Sequence, residues 1–178
     1  KAEGRTVYEL NNQKAEEAMK SLLGVDELNA DLFAENPMGI KSSDVFGQYT
    51  IKSAMAANDD GSITFYAEMP EGAYLTHMKS DRDFAIESFK ETLRNAIKDA
   101  GNPKKIGAII IFNCILRHLL KCRLDVDDRG IVKEIVGEEV PMIGFNTFGE
   151  QGTTLGGSLG HYNQTATILV IADETITQ

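Results

Sequence analysis

SDRDFAIESFKETLRNAIKDAGNPKKIGAIIIFNC, residues 80–114, changes its hydrophobic period in mid-course. After Ser80 the apolar residues Phe84, Phe89, Leu93 and Ile97 form one stripe at helical spacing. Ser80 and Asp83 have the spacing of a capping box at its start, and Gly101 with Pro103 supplies the stop. KKIGAIIIFNC (104–114) then runs apolar without alternation, the pattern of a strand buried on both faces. A long helix feeding a central strand makes the chain α+β, and the remaining segments are read around that pair.

Upstream, RTVYEL (5–10) reads as a strand, and NNQKAEEAMKSLLG (11–24) places Ala15, Ala18, Met19 and Leu22 on one helical face before the stop at Gly24. VDELNADLFAE (25–35) predicts a second helix that Asn36-Pro37 ends. NPMGIKS (36–42) and GQYTIKSAMAAND (47–59) read as strands. In NDDGSITFYAEM (58–69) an Asp-Gly pair between two strand-like runs predicts a tight hairpin turn. PEG (70–72) punctuates before AYLTHMKS (73–80), so this region is an antiparallel meander. Downstream, VDDRGIVKEIVG (126–137) predicts a helix despite Gly130. Two last strands, PMIGFNTF (141–148) and QTATILVIAD (164–173), flank the polar, glycine-rich excursion GEQGTTLGGSLGHYNQT (149–165). No repeat or linker interrupts the chain. The expectation is one domain over 1–178: α+β, an antiparallel or mixed sheet with a strand meander, packed by helices.

The net charge of −9 and pI near 4.8, with 18 scattered basic residues, argue against a nucleic-acid partner. Two cysteines, Cys114 and Cys122, are too few for a disulfide framework and fit a reducing compartment, hence the cytoplasm. No apolar run reaches the roughly 18 residues that a membrane span needs. The start, KAEGRTVYEL, has neither an initiator methionine nor a signal-peptide core, and the chain reads as a piece of a longer protein. There is no P-loop, and GGSLG (156–160) precedes a strand instead of opening a helix, so it is no dinucleotide fingerprint. His77, His118 and His161 lack ligand spacing, and no GxSxG elbow exists. The expectation is no metal and no cofactor.

Three segments place polar residues at the mouths of apolar strands: FNCILR (112–117), GFNTFGE (144–150) and HYNQT (161–165). Strand ends are where pockets form in such sheets. Cys114 reads either as a small buried hydrophobe or as a thiolate supported by Arg117 or His118. Arg117 reads as a solvated arginine or as a bidentate clamp for a carboxylate. Glu150 caps a turn or receives the ammonium of a ligand; Tyr162 and Asn163 anchor a loop or reach the same mouth. Alternation along the strand puts Phe145 and Thr147 on one face and Asn146 and Phe148 on the other.

In this order the three segments resemble the C-terminal domain of the FIST family of bacterial and archaeal signal-transduction proteins, whose corresponding patterns read like FSCxGR, GFYTYGE and FHNQT. VYELNNQKAEEAMKSLLG (7–24) is similar to the family's first segment, and NPMGI (36–40), DDGSITF (59–65) and MPEGAYLTHM (69–78) to its meander. The matched positions are Cys114 and Arg117; Gly144, Phe145, Thr147, Gly149 and Glu150; and Asn163, Gln164 and Thr165. Asn113, Leu116, Asn146 and Tyr162 depart from the pattern. The resemblance implies a cytoplasmic sensory domain and no enzyme, binding a small molecule, an amino acid among the candidates, through Asn113, Cys114, Arg117, Asn146, Thr147, Gly149, Glu150, Tyr162 and Asn163. It implies as partners an N-terminal FIST domain, absent here, and a signalling output domain or histidine kinase. Two alternatives stand beside it: a protein–protein or dimerisation module docking on that N-terminal domain, and an enzyme with a Cys114 nucleophile served by Glu150 or His161.

Overall fold

Short strands and tight turns build the first part of the chain in the computed structural model, which describes residues 1–41, 49–153 and 159–173. The chain divides into two compact units: residues 1–79 with 161–163, and residues 80–160 with 164–178.

The first unit opens with β1 (Ala2–Glu3), β2 (Thr6–Val7), β3 (Glu9–Leu10) and β4 (Gln13–Lys14), followed by α1 (Ala15–Leu23) and α2 (Ala30–Glu35). α1 ends as its sequence requires, with Gly24 in the left-handed region and its N–H bonded to Lys20 O. α2 is shorter than its periodicity suggested. Asn29 caps it by accepting from Leu32 N–H, so 25–29 stay outside the helix. β5 (Met38–Lys41), β6 (Tyr49–Lys52), β7 (Ala54–Ala57), β8 (Ile63–Phe65) and β9 (Leu75–His77) complete the unit. The strands of this unit form the sheets β1-β2-β8-β7, β3-β4 and β6-β5-β9, in which every described pair is antiparallel. The core between strands and helices contains Met19, Phe33, Met38, Ile63 and Phe65, all under 3% exposed. Each such side chain contributes roughly 2 kcal/mol relative to exposure.

The second unit is organised by α3 (Arg82–Asp99) and β10 (Ile106–Cys114). The cap of α3 falls one residue later than the capping-box spacing indicates: Asp81 Oδ1 accepts from Phe84 N–H at 2.8 Å, while Ser80 Oγ donates to Asp81 O. Phe89 and Leu93 are buried as the stripe predicts, but Phe84, in the first turn, is 63% exposed. After β10 come α4 (Ile115–Arg123), α5 (Asp128–Val136) and β11 (Met142–Thr147). β12 (Glu150–Thr153) and β13 (Leu159–Tyr162), whose last two residues count with the first unit, form a two-stranded sheet, and β14 (Ala166–Ala172) closes the series. Residues 154–158 of the glycine-rich excursion lie outside the described residues.

β10 is the middle of the three-stranded sheet β11-β10-β14, parallel to β11 and antiparallel to β14, so the sheet is mixed. One face, with Ile109, Ile111 and Val170, packs on Phe89, Leu93, Ile131 and Val132. The other face departs from the expectation of burial on both sides. Register aligns Ile110 with Ile143 and Leu169, and Ile143, Phe145, Leu169 and Ile171 are all exposed. The run is apolar on both faces, yet helices cover only one of them in this unit.

The Asp-Gly turn is where the hairpin reading places it. β7 and β8 pair antiparallel, Gly61 sits at φ +82°, and Asp60 Oδ1 accepts from Ser62 N–H and Ser62 Oγ–H. A Cβ on Gly61 would also lie 2.9 Å from Lys14 Cδ. Gly61→Val is therefore expected to lower the unfolding free energy by about 1–3 kcal/mol, since a β-branched residue is strained at positive φ. Urea denaturation monitored by circular dichroism checks this, and an unchanged midpoint would refute the turn's role.

Candidate functional site

The parallel pairing of β10 and β11 brings their C-terminal ends together. Asn113 lies opposite Asn146 and Cys114 opposite Thr147, while β14 starts at the same end with Ala166 opposite Asn113. FNCILR and GFNTFGE thus share one mouth of the sheet, and Thr165 joins them through the bond from Cys114 N–H to Thr165 O. Close approach of the strands demands glycine at 144, where a Cβ would sit 2.9 Å from Ile111 O.

A polar relay crosses this mouth. Asn113, buried, donates from Nδ2 to Asn146 Oδ1 (3.3 Å) and accepts at Oδ1 from Arg117 Nη1 (2.7 Å). Arg117 also makes a forked contact with Asp128, Nη1 to Oδ2 at 2.7 Å and Nη2 to Oδ1 at 3.0 Å. Its guanidinium carbon stands 4.7 Å from the centroid of the Phe89 ring. Lys121 Nζ adds a second cation on Asp128 Oδ2 at 2.9 Å. Asp128 is buried at the start of α5, where the helix dipole favours an anion. Burial by itself would push its carboxyl up, but the hydrogen bonds and charges of Arg117 and Lys121 outweigh that and hold it below the usual carboxylate range. Arg117 is neither a free clamp nor a solvated surface group: the geometry commits it to Asp128.

Glu150 is 2% exposed. It accepts from Thr147 Oγ1 at Oε1 (2.5 Å) and from Thr165 Oγ1 at Oε2 (2.9 Å), tying the end of β11 to the start of β14. It makes no ion pair among the described residues. Cys114 is 2% exposed, and burial pushes its thiol up, opposed by backbone N–H groups of Gln164, Leu116 and Arg117. Cys122 is free and exposed, with its Sγ 3.8 Å from His118 Nε2. Gly149 precedes the buried Glu150 in the turn from β11 into β12. Tyr162 and Asn163 belong to the first unit. There Asn163 is buried, and its Oδ1 accepts from Ser53 N–H at 3.3 Å.

Beside the relay the second unit has an open cleft of about 510 Å³ between the sheet mouth and the helices α4 and α5. Asn113, Asn146, Lys121, Asp128, Lys133 and Glu138 are among its lining residues. Its size lies within the roughly 300–1,000 Å³ usual for small-molecule sites. Asn146 ends the relay: its Oδ1 is taken by Asn113, and its amide nitrogen has no partner among the described residues. Sequence reasoning missed Asp128, Lys121 and Phe89. A hint lay in Asp127-Asp128 at a helix start, where one acid caps Arg129 N–H and leaves the other for a second task. Among the described residues no group of three or more metal-ligating side chains occurs, and no helix is long and apolar enough to cross a membrane.

Residues 15–153 match the family described as FIST C domain. The chain is also similar to an uncharacterized protein of Methanocaldococcus jannaschii, with 27% identity over 136 residues. That alignment covers 68% of this chain and 25% of the relative, so the chain spans about a quarter of that curated protein. No solved structure matches it.

The Arg117–Asp128 contact has a pH signature. Asp128 has a depressed carboxyl in the folded state, so its contribution is present above the unfolded value of about 3.9 and is lost as pH falls through the folded one. Removing one partner of a buried pair costs about 3–5 kcal/mol. Asp128→Asn is expected to lose an amount of that order at pH 7, with the gap to wild type closing below about pH 4. Denaturation curves of both proteins from pH 7 to pH 2.5 measure it. A gap constant across that range would refute the charged contact.

Proposed function

The chain belongs to the FIST C domain family, a signal-transduction-associated family, and from that premise we propose that its second unit is the ligand-sensing part of a cytoplasmic signalling protein. The carrying observation is the cleft at the carboxyl ends of two parallel strands, the place where open sheets with helical crossovers receive small molecules. Its chemistry favours a zwitterion. Lys121 offers an ammonium to a carboxylate, Glu138, which pairs with Lys133, offers a carboxylate to an ammonium, and the Asn113–Asn146 amides complement both. An amino acid is the simplest ligand with those groups.

In this reading the residues divide by task. Asn113 and Asn146 face the ligand. Arg117 acts through Asn113 and Asp128 as a positioning residue, and Thr147, Gly149 and Glu150 hold the mouth in shape. Cys114 is packing rather than a nucleophile, because burial favours its neutral thiol. Tyr162 and Asn163 support the first unit. The expected partners are an N-terminal FIST domain and an output domain or histidine kinase. A second reading, an association module for that N-terminal domain, is favoured by the exposed apolar face of Ile143, Phe145, Leu169 and Ile171.

A thermal-shift screen of amino acids and small carboxylates, followed by calorimetry, tests the sensor reading. A true ligand at a hundred times its Kd stabilises by about 2.7 kcal/mol. Asn146→Leu, at an exposed position, should fold normally and weaken that ligand at least about tenfold, since it leaves a polar ligand group unpaired. Absence of any stabilising compound, or full binding by Asn146→Leu, would sink the proposal.

A further inference from the structure

The first unit contains a second cleft, of about 540 Å³, with a different character. It is lined by Gly4 and Arg5 in the turn between β1 and β2, by Lys52 at the end of β6, by Tyr66 and Glu68 just after β8, and by His161. Backbone bonds fix its walls: Phe65 N–H to Arg5 O and Met69 N–H to Gly4 O, both 2.8 Å, and Tyr66 N–H to Ser53 O at 3.0 Å. Lys52 is half-buried and makes no ion pair among the described residues; Glu68 acts on it only through its field. An ammonium withdrawn from water without a partner is unfavourable. Burial accordingly pushes Lys52 down from the ordinary lysine range, against the pull of Glu68. Two cationic side chains, Arg5 and Lys52, and one carboxylate, Glu68, line the cleft, in a chain whose net charge is −9.

We propose that this cleft binds a small hydroxyl-bearing phosphomonoester. Its phosphate is held between the Lys52 ammonium and the Arg5 guanidinium, and its hydroxyl is accepted by Glu68. A dianion matches two cations, and a planar guanidinium binds two phosphate oxygens at once. The Tyr66 hydroxyl and the His161 ring line the same space and can donate to the remaining oxygens. Glu68 would repel a bare phosphate but accepts a hydrogen bond from a neighbouring hydroxyl, which selects an organic phosphate over the inorganic ion. This site shares no residue with the cleft of the second unit and does not depend on the amino-acid reading.

The test is calorimetric titration of the full chain, at low ionic strength, with glycerol 1-phosphate, inorganic phosphate and glycerol. Saturable binding of glycerol 1-phosphate, weaker binding of inorganic phosphate and none of glycerol are expected. Lys52→Met should weaken glycerol 1-phosphate at least ~10-fold with an unchanged melting temperature. Arg5→Gln, at an exposed position, should do the same, and it carries the test if Lys52→Met fails to fold. Glu68→Gln gives a reversal that a merely structural residue would not produce. It should tighten inorganic phosphate roughly threefold by removing a like charge, while erasing the preference for glycerol 1-phosphate. No saturable binding of either phosphate to the wild-type chain overturns the proposal. So does binding that is unaltered in Arg5→Gln.

Discussion

Both edges of Ile106–Cys114 are hydrogen-bonded, one to a parallel strand and one to an antiparallel strand, and most of the second unit follows from that constraint. A strand paired on two sides cannot slip by one residue without turning Ile109 and Ile111 away from the helices they pack on. The locked register puts Asn113 beside Asn146 and Thr165 within reach of Glu150. The latter pair then holds the antiparallel strand at the same end as the parallel one. Parallel pairing also needs a crossover, and the crossover here supplies α4 and α5, the helices that carry Arg117, Lys121 and Asp128. The charged relay is a by-product of the route that the chain must take between two parallel strands.

That relay is strong because it is enclosed. Arg117 has a carboxylate in its fork, an aromatic ring beneath it and an amide at its side, and only a small part of it meets solvent. An arginine in such a setting cannot be exchanged for lysine, which lacks both the fork and the flat face. A ligand in the adjoining cleft would meet a prearranged set of donors and acceptors, with little left to organise on binding.

Local signals were legible where one short segment decides the outcome. The stripe of α3 from Phe89 onward, the stop at Gly24 and the turn at Gly61 each depend on neighbours in sequence, and each is found where periodicity and turn chemistry put it; Phe84, at the head of the stripe, is exposed. The shared mouth of FNCILR and GFNTFGE was legible from their polar residues at the ends of apolar runs. Partners distant in sequence were not. Nothing in FNCILR shows that Arg117 will meet Asp128, eleven residues on and in another helix, or that Glu150 will be claimed by two threonines instead of a ligand. α4 was hidden for another reason. It follows β10 without glycine, proline or a capping side chain, so the apolar run shows no break where strand becomes helix. The exposed sheet face was misread because an apolar run is the same whether or not something covers it.

The division of the chain has a consequence for its synthesis. The first unit includes residues 161–163, and among the described residues the amide of fully buried Ser53 finds its acceptor in Asn163, 110 positions later. The second unit cannot close its central strand until β14 exists. At a ribosomal pace of roughly 5–20 residues per second, several seconds separate Lys79 from Asn163. Through that interval the nascent polypeptide carries an early segment with an orphaned amide, joined once Cys114 is made by an apolar strand lacking one neighbour. Folding of either part is thereby deferred until residues 161–172 have been made, because those few positions complete both.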